Sequence, residues 1–302
     1  MMVTLSDIRV RDPFILTENQ TNTYYLYVQK SNRIEAERGV EVYTSANLRE
    51  WTEPISVFSV PEKSWASEAV WAPEVHLYHG QYYLFVTLSG KPHQAQTTRP
   101  PLQPRGTQLF LADSPLGPFL PFANQPHTPS GKMCLDGTLF IENNKPWLVY
   151  CHEWIELEDG TVEAIALKDD LSGTSGKPKT LFKATDAPWV RSLPKHRGFV
   201  TDGPFFHRTS GGTLCMLWSS FGEKGYALGL ARSRSGNLTG PWDQDQEPLF
   251  AADGGHAMLF RTLTGSLLLT LHQPNGGGKE RAQLFEITES AHSLSLKGTY
   301  TP

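Results

Sequence analysis

The chain has 302 residues, a formal net charge of −4, 39% hydrophobic residues and 19% charged residues. This composition excludes a disordered polymer, and the absence of a basic footprint argues against nucleic acid as a partner. No run of about 18 apolar residues exists to span a membrane.

The opening MMVTLSDIRV lacks the basic-then-apolar order of a secretory signal. The expected compartment is therefore cytoplasmic, or periplasmic or secreted with a signal removed. The three cysteines, Cys134, Cys151 and Cys215, form no CxxC pair and read as buried free thiols.

In chain order the apolar runs are YYLYV (24–28), VEVYTS (40–45), YYLFVTL (82–88), TQLFLAD (107–113), WLVYCH (147–152), LCMLWSS (214–220), ALGLARS (227–233) and SLLLTLH (266–272). Each is short, rich in aromatic and β-branched residues, and bounded by Gly, Pro or Asn, which is the pattern of strands and turns. No long stretch keeps a helical period. The chain reads as all-β.

The strands repeat. DPFIL with YYLYV, WAPEVHLY with QYYLFV, LDGTLFI with KPWLVY, TDGPFFHR with TLCMLWS, and GHAMLFR with SLLLTL are five versions of one unit. A polar mark opens each unit, at Asp12, Trp71/Glu74, Asp136, Asp202 and His256, at intervals of roughly 55–65 residues. Several units close on a similar phrase, in SANLREW (45–51), SPLGPF (114–119), DDLSG (169–173) and SGNLTGPW (235–242). Four-stranded units at this period predict a five-bladed β-propeller of antiparallel blades, in one domain spanning 1–302.

In a propeller the first strand of each blade lines the central channel, so the polar marks are expected to converge at one channel mouth. A lone Asp before Gly or Pro is more often a turn former than a catalyst. Three of them, each opening an innermost strand, point to chemistry instead. Two long Pro- and Arg-rich connections, 90–106 and 184–200, are expected to border that site.

Several carboxylates in one pocket, with aromatic faces nearby and no Cys/His metal spacing, suit glycoside hydrolysis. That reaction needs a carboxylic acid to protonate the leaving oxygen and a carboxylate to activate water or attack carbon. Trp71, Trp154, Trp218 and Phe221 are candidates to stack on a sugar, although each taken singly is more often a core residue. Phe14, Glu74, Glu153, Ser219 and His272 complete the expected substrate contacts, with an oligo- or polysaccharide as partner and a monomer as the expected state.

Arg11-Asp12-Pro13, Trp71-Ala72-Pro73-Glu74, Leu135-Asp136-Gly137, Asp202-Gly203-Pro204 and Gly255-His256 together resemble glycoside hydrolase family 43, over essentially the whole chain. The resemblance implies Asp12 as general base in a single-step inversion and Asp136 as the carboxylate that tunes and orients the acid. The family's acid is a Glu before Gly-Pro, and here Asp202 takes that place. Its side chain is one C–C bond shorter, about 1.5 Å. Asp202 on a shifted backbone, Glu153 as substitute acid, or a catalytically weak glycan-binding propeller all remain open.

The resemblance implies an enzyme releasing α-L-arabinofuranosyl groups, or related β-D-xylosyl or β-D-galactofuranosyl groups, with no required cofactor; the two long loops, closing one end as a funnel, favour exo action over the endo-arabinanase action of an open cleft. His256 matches a channel His that holds a hydrated ion in some members, so a structural Ca2+ near it is an expectation, beside a His bonded in the channel without metal. A protein-interaction propeller is the reading from outside carbohydrate chemistry.

Overall fold

The computed structural model describes residues 2–30, 38–92 and 100–302. Five four-stranded antiparallel sheets follow one another along the chain: β1–β4 (residues 14–59), β5–β8 (69–121), β9–β12 (134–183), β13–β16 (202–244) and β17–β20 (255–299). Every sheet keeps its strands in sequence order, from first to fourth.

The first strands meet one another around a ring. Strand β1 (Phe14–Glu18) contacts β5 (Ala69–Tyr78) and β17 (Gly255–Arg261), and β9 (Cys134–Glu142) contacts β5 and β13 (Asp202–Arg208). Strand β13 in turn contacts β17. This closed ring of inner strands is the β-propeller that the repeat predicts.

Local chemistry accounts for the blades. The β5–β6 and β9–β10 hairpins turn on His79-Gly80 (φ 49° and 80°) and Asn143-Asn144 (φ 51° and 61°). Two successive residues with φ > 0 match the right-handed twist of the flanking strands, and Asn and Gly reach that region at least cost. The phrases that close each unit fall between third and fourth strands. In two of them a Trp indole folds back to cap its own turn, Trp51 Nε1 donating to Leu48 O (3.0 Å) and Trp242 Nε1 to Leu238 O (2.9 Å).

Middle strands alternate into the faces between blades. Leu26, Val42, Val75, Leu84, Phe110, Phe260 and Leu268 form one buried cluster across the first, second and fifth blades. Each such side chain contributes about 1.5–3 kcal/mol on burial, so the seams between blades hold the ring closed. The outermost strands are short where β8 has two residues and β16 three, which limits exposed edge. The three cysteines are buried free thiols.

The two long connections differ from the expectation in detail. Of 90–106, residues 93–99 lie outside the described residues, and Arg105 and Gly106 already belong to β7 (Arg105–Ala112). Segment 184–200 is ordered by packing. Trp189 lies 5.3 Å from the Trp218 ring, and a Cβ on Gly198 would meet the Trp154 ring at 2.1 Å.

Candidate active site

Each blade opens on a residue in the left-handed region: Asp12 (φ 55°), Ala72 (44°), Asp136 (55°), Gly203 (53°) and His256 (52°). In β5, β13 and β17 the register slips there, between Trp71 and Glu74, Asp202 and Phe205, and Gly255 and Met258. In the third blade it slips likewise at Asp136, where Asp136 and Gly137 of β9 stand against Tyr150 alone. These are β-bulges, which bend a strand and re-aim its side chains.

The polar marks are therefore not five equivalents, as the sequence alone suggests. Asp12, Asp136 and His256 occupy the left-handed position itself. Asp202 stands one residue earlier because the left-handed place in that blade belongs to Gly203, where a Cβ would lie 2.7 Å from the His256 ring. Glu74 stands two residues late, after Ala72-Pro73.

A second repeat fixes these bulges. Asp136 N–H donates to Thr87 Oγ1 (2.8 Å), His256 N–H to Ser219 Oγ (2.8 Å) and Asp12 N–H to His272 Nδ1 (3.2 Å). Each acceptor lies on the second strand of the preceding blade. At the fourth seam the matching place holds Cys151, the partner of Leu135. Gly203 N–H turns instead to Asp136 Oδ2, at 3.1 Å. A buried amide must find a partner, and Cys151 offers only a weak acceptor, so this seam uses a carboxylate.

Asp12, Asp136, Asp202 and His256 thereby share the wall of one cavity of about 500 Å³, with Arg11, Arg105, Trp71, Glu153, Trp154 and Phe221. His256 Nδ1 lies 3.1 Å from Asp12 Oδ1 and 3.7 Å from Asp136 Oδ2. Arg11 Nε is 3.7 Å from Asp12 Oδ1. Asp12 Oδ1 nonetheless accepts no aligned hydrogen bond among the described residues. Its contacts are those of charge, and the atom itself is buried.

The carboxylates differ in charge state for identifiable reasons. Burial pushes Asp12 up, but the nearby charges of His256 and Arg11 win and hold it well below the usual carboxylate range. Burial pushes Asp136 up to about 8; His256 opposes this, while the charges of Asp202 and Asp12 add to it. Burial likewise raises Asp202, against His256, Arg11 and a hydrogen bond from Tyr226 OH to Oδ2 (2.9 Å). Burial pulls His256 down, yet Asp12 and Asp136 push it up to about 10. The floor of the cavity thus pairs one ionised carboxylate with an imidazolium, beside two carboxyls biased toward the protonated form.

Glu153 lies in the same wall. Its Oε1 accepts from Arg105 Nη1, and Arg105 Nε donates to Ser89 Oγ (3.0 Å). The guanidinium lies 4.3 Å from the Trp71 ring centre. Burial pushes Glu153 up to about 7, with Arg105 opposing and Asp202 adding.

Of the expected substrate contacts, Trp71, Glu153, Trp154 and Phe221 do line the cavity. The others are corrected. Trp218 is fully buried, with Nε1 donating to Gln244 Oε1 (3.0 Å), and belongs to the core. Phe14 lies farther along the channel, its ring 5.3 Å from that of His76. Glu74 Oε2 bonds His76 Nε2 at 2.8 Å and lines no part of the cavity. Ser219 and His272 are buried beneath it as the amide acceptors already described. Arg11, Arg105, Tyr226 and Leu193 are the residues that motif reading missed; only Arg11 had a signal, its place beside Asp12.

A calcium ion finds few protein ligands here. Among the described residues no group of three or more His, Cys, Asp or Glu is arranged to hold a metal. His256 Nδ1 already faces Asp12 and Asp136, and calcium takes 6–8 oxygen ligands. The residues present do not form such a cage, and no chemical step is derived through one.

A propeller whose channel mouth gathers three buried carboxylates under aromatic walls is the architecture of a glycoside-cleaving enzyme. Residues 5–290 match the family model described as Glycosyl hydrolases family 43, and the chain belongs to that family.

A solved endo-arabinase from Bacteroides thetaiotaomicron VPI-5482 is 41% identical, with a TM-score of 0.85 over 96% of this chain and 98% of that one. An alpha-L-arabinofuranosidase from Lactobacillus brevis shares the fold at 16% identity, with a TM-score of 0.78 over 99% of each chain. Among curated proteins, the extracellular endo-alpha-(1->5)-L-arabinanase 1 of Bacillus subtilis (strain 168) is 32% identical over 59 residues, 18% of this chain and 18% of that protein. The match thus spans less than a fifth of that curated relative.

Proposed function

We propose that the protein is an inverting, exo-acting glycosidase that releases α-L-arabinofuranosyl groups from plant-type glycans. The observation that carries the catalytic part is the convergence of Asp12, Asp136 and Asp202 on one cavity floor, where the contacts of Asp12 with His256 (3.1 Å) and Arg11 (3.7 Å) favour its ionised form and burial favours the protonated form of the other two. A hydrolase needs one group of each kind.

In this reading Asp12 is the base. The Asp12 carboxylate accepts a proton from water as that water attacks the anomeric carbon, and the bond to the leaving oxygen breaks. Asp202 donates the proton to that oxygen. It suits this role better than Glu153, because Glu153 Oε1 is taken by the Arg105 guanidinium, whereas the hydrogen bond Asp202 accepts comes from the neutral Tyr226 phenol. Asp202 is also more accessible from the cavity than Asp12 or Asp136. Asp136, bonded to Gly203 N–H directly beside Asp202, sets the acid's place.

The arabinose assignment is supported by similarity to the 41% identical endo-arabinase. The exo assignment is supported by the wall that Trp154, Leu193 and Phe221 raise on one side of the cavity. The endo reading is favoured by the activity named for that same relative.

Incubation with α-1,5-linked arabino-oligosaccharides and with aryl arabinofuranoside, xyloside and galactofuranoside separates these readings. Release of arabinose alone from the first time points, with the inverted anomer by proton NMR, is the expected result. Early oligosaccharide products would overturn exo action, and turnover confined to another sugar would overturn the arabinose assignment. Binding of glycans without any turnover would favour the inactive, glycan-binding propeller.

A further inference from the structure

A second cavity of about 460 Å³ adjoins the catalytic one, lined in part by Trp65, Pro104, Asn124, Lys132 and Glu156. Arg105 belongs to both walls. We propose that this neighbouring cavity receives the glycan on the leaving-group side of the scissile bond, with Arg105 as the fixed post between the two. The inference rests on the glycosidase reading above and adds to it the place of the aglycone.

The side chains fit a neutral sugar chain. Trp65 Nε1 donates to Gln108 Oε1 (2.7 Å) and its amide N–H to Asn124 Oδ1 (2.9 Å), so the indole is held by its polar edge in the cavity wall. Pro104 and Pro126 add further flat apolar surface. Sugars bind through such faces together with a few placed polar groups. Glu156 supplies one: its Oε2 accepts from Met133 N–H (2.8 Å) and contacts His152 Nε2 (2.8 Å), which fixes the carboxylate at the cavity edge. Lys132 is balanced by Glu156, and Arg105 is already paired with Glu153, so the wall holds no free cationic cluster for a phosphate or a polyacid.

Continuity gives the direction. Arg105 is buried, bound to Ser89 and Glu153 and flat against Trp71. It is too constrained to swing and act as a gate, so a chain leaving the catalytic cavity on this side passes over it. Glu153, its partner, lies close enough to Asp202, the proposed acid, to feel its charge, and the acid must face the leaving oxygen. The cavity beyond Arg105 is thus the one next to the departing group.

The test compares kcat/KM for 4-nitrophenyl α-L-arabinofuranoside with that for arabinotetraose in the wild type, Ser130→Trp and Trp65→Ala. Ser130 is exposed at the cavity lip, so its replacement fills the cavity without disturbing the core. The ratio of tetraose to aryl kcat/KM is expected to fall at least tenfold in both variants. A ratio within twofold of the wild type in Ser130→Trp overturns the proposal, whether or not Trp65→Ala folds.

Calorimetric binding of arabinotetraose to Asp12→Asn, with and without Ser130→Trp, gives a readout that needs no turnover. An unchanged Kd there also overturns the proposal. Absence of wild-type turnover overturns the activity instead, so the two failures are distinct.

Discussion

The amide of Asp12 donates its hydrogen to Nδ1 of His272 across 3.2 Å, although 260 residues separate the two in sequence. The bond crosses the seam where the last blade meets the first. It also fixes a tautomer: Nδ1, as acceptor, carries no proton, and Nε2–H donates to Asn275 Oδ1 at 3.2 Å. The 3.3 Å approach of Nδ1 to Asp12 Oδ1 is then a contact between lone pairs. The base carboxylate is thus oriented by its own backbone.

His272→Ala should orphan the Asp12 amide, a cost of about 1–3 kcal/mol. If that cost falls on the geometry of the base, kcat drops roughly 5- to 150-fold while KM stays nearly constant. His272→Asn, whose Oδ1 can accept the same hydrogen, should recover part of the loss. Steady-state kinetics on arabino-oligosaccharides check this. A fall in Tm with unchanged kcat would make His272 a structural residue only.

Asp12→Asn should lower kcat by about 10²–10⁴, the usual contribution of a positioned acid–base group. The amide is nearly isosteric, so circular dichroism should show an unchanged fold. Retained turnover would remove Asp12 from the base role.

Asp136→Asn should raise stability at neutral pH while abolishing activity. The folded protein holds the Asp136 proton up to about 8, against an ordinary value of 3.8. Between those values the unfolded chain has released a proton that the folded chain keeps, so wild-type stability falls as pH rises through the window. An uncharged Asn escapes this loss. The gain should be on the order of a few kcal/mol at pH 7 and vanish near pH 4. Thermal melts at both pH values decide it, and a variant less stable than wild type at pH 7 would contradict the assignment.

Tyr226→Phe should move the alkaline limb of the kcat/KM profile to higher pH. The Tyr226 hydroxyl bonds Asp202 Oδ2 and favours its ionised form. Without it the Asp202 carboxyl keeps its proton further into the alkaline range. A limb that stays in place would point to another acid, and Glu153→Gln is the comparison that would identify it.

Much of this was legible in the sequence because a propeller repeats its own grammar. Alternating apolar strands, turn residues at matching places and five polar marks at blade spacing sufficed for the fold and for the convergence of Asp12, Asp136, Asp202 and His256. Phase within the blade was not legible. The left-handed bulge that re-aims each mark depends on cross-strand register, which is why Asp202 stood one place from its supposed equivalents and Glu74 left the cavity.

Trp218 failed for a related reason. Its strand pattern reads the same whether the side chain faces the channel mouth or the seam between blades, and only packing against Trp189 and Phe182 settled it. Arg105 carried no motif at all. It matters because β7 brings it between Trp71 and Glu153, residues that lie in two different blades.

The strand repeat and the identity of the carboxylates are written in local pattern and residue type, and reading the residues in order is enough to find them. The tertiary structure alone decided which carboxylate is ionised. That choice rests on burial and on charges brought together from remote blades: His256 and Arg11 stabilise the anion of Asp12, while burial beside like charges keeps the proton on Asp136.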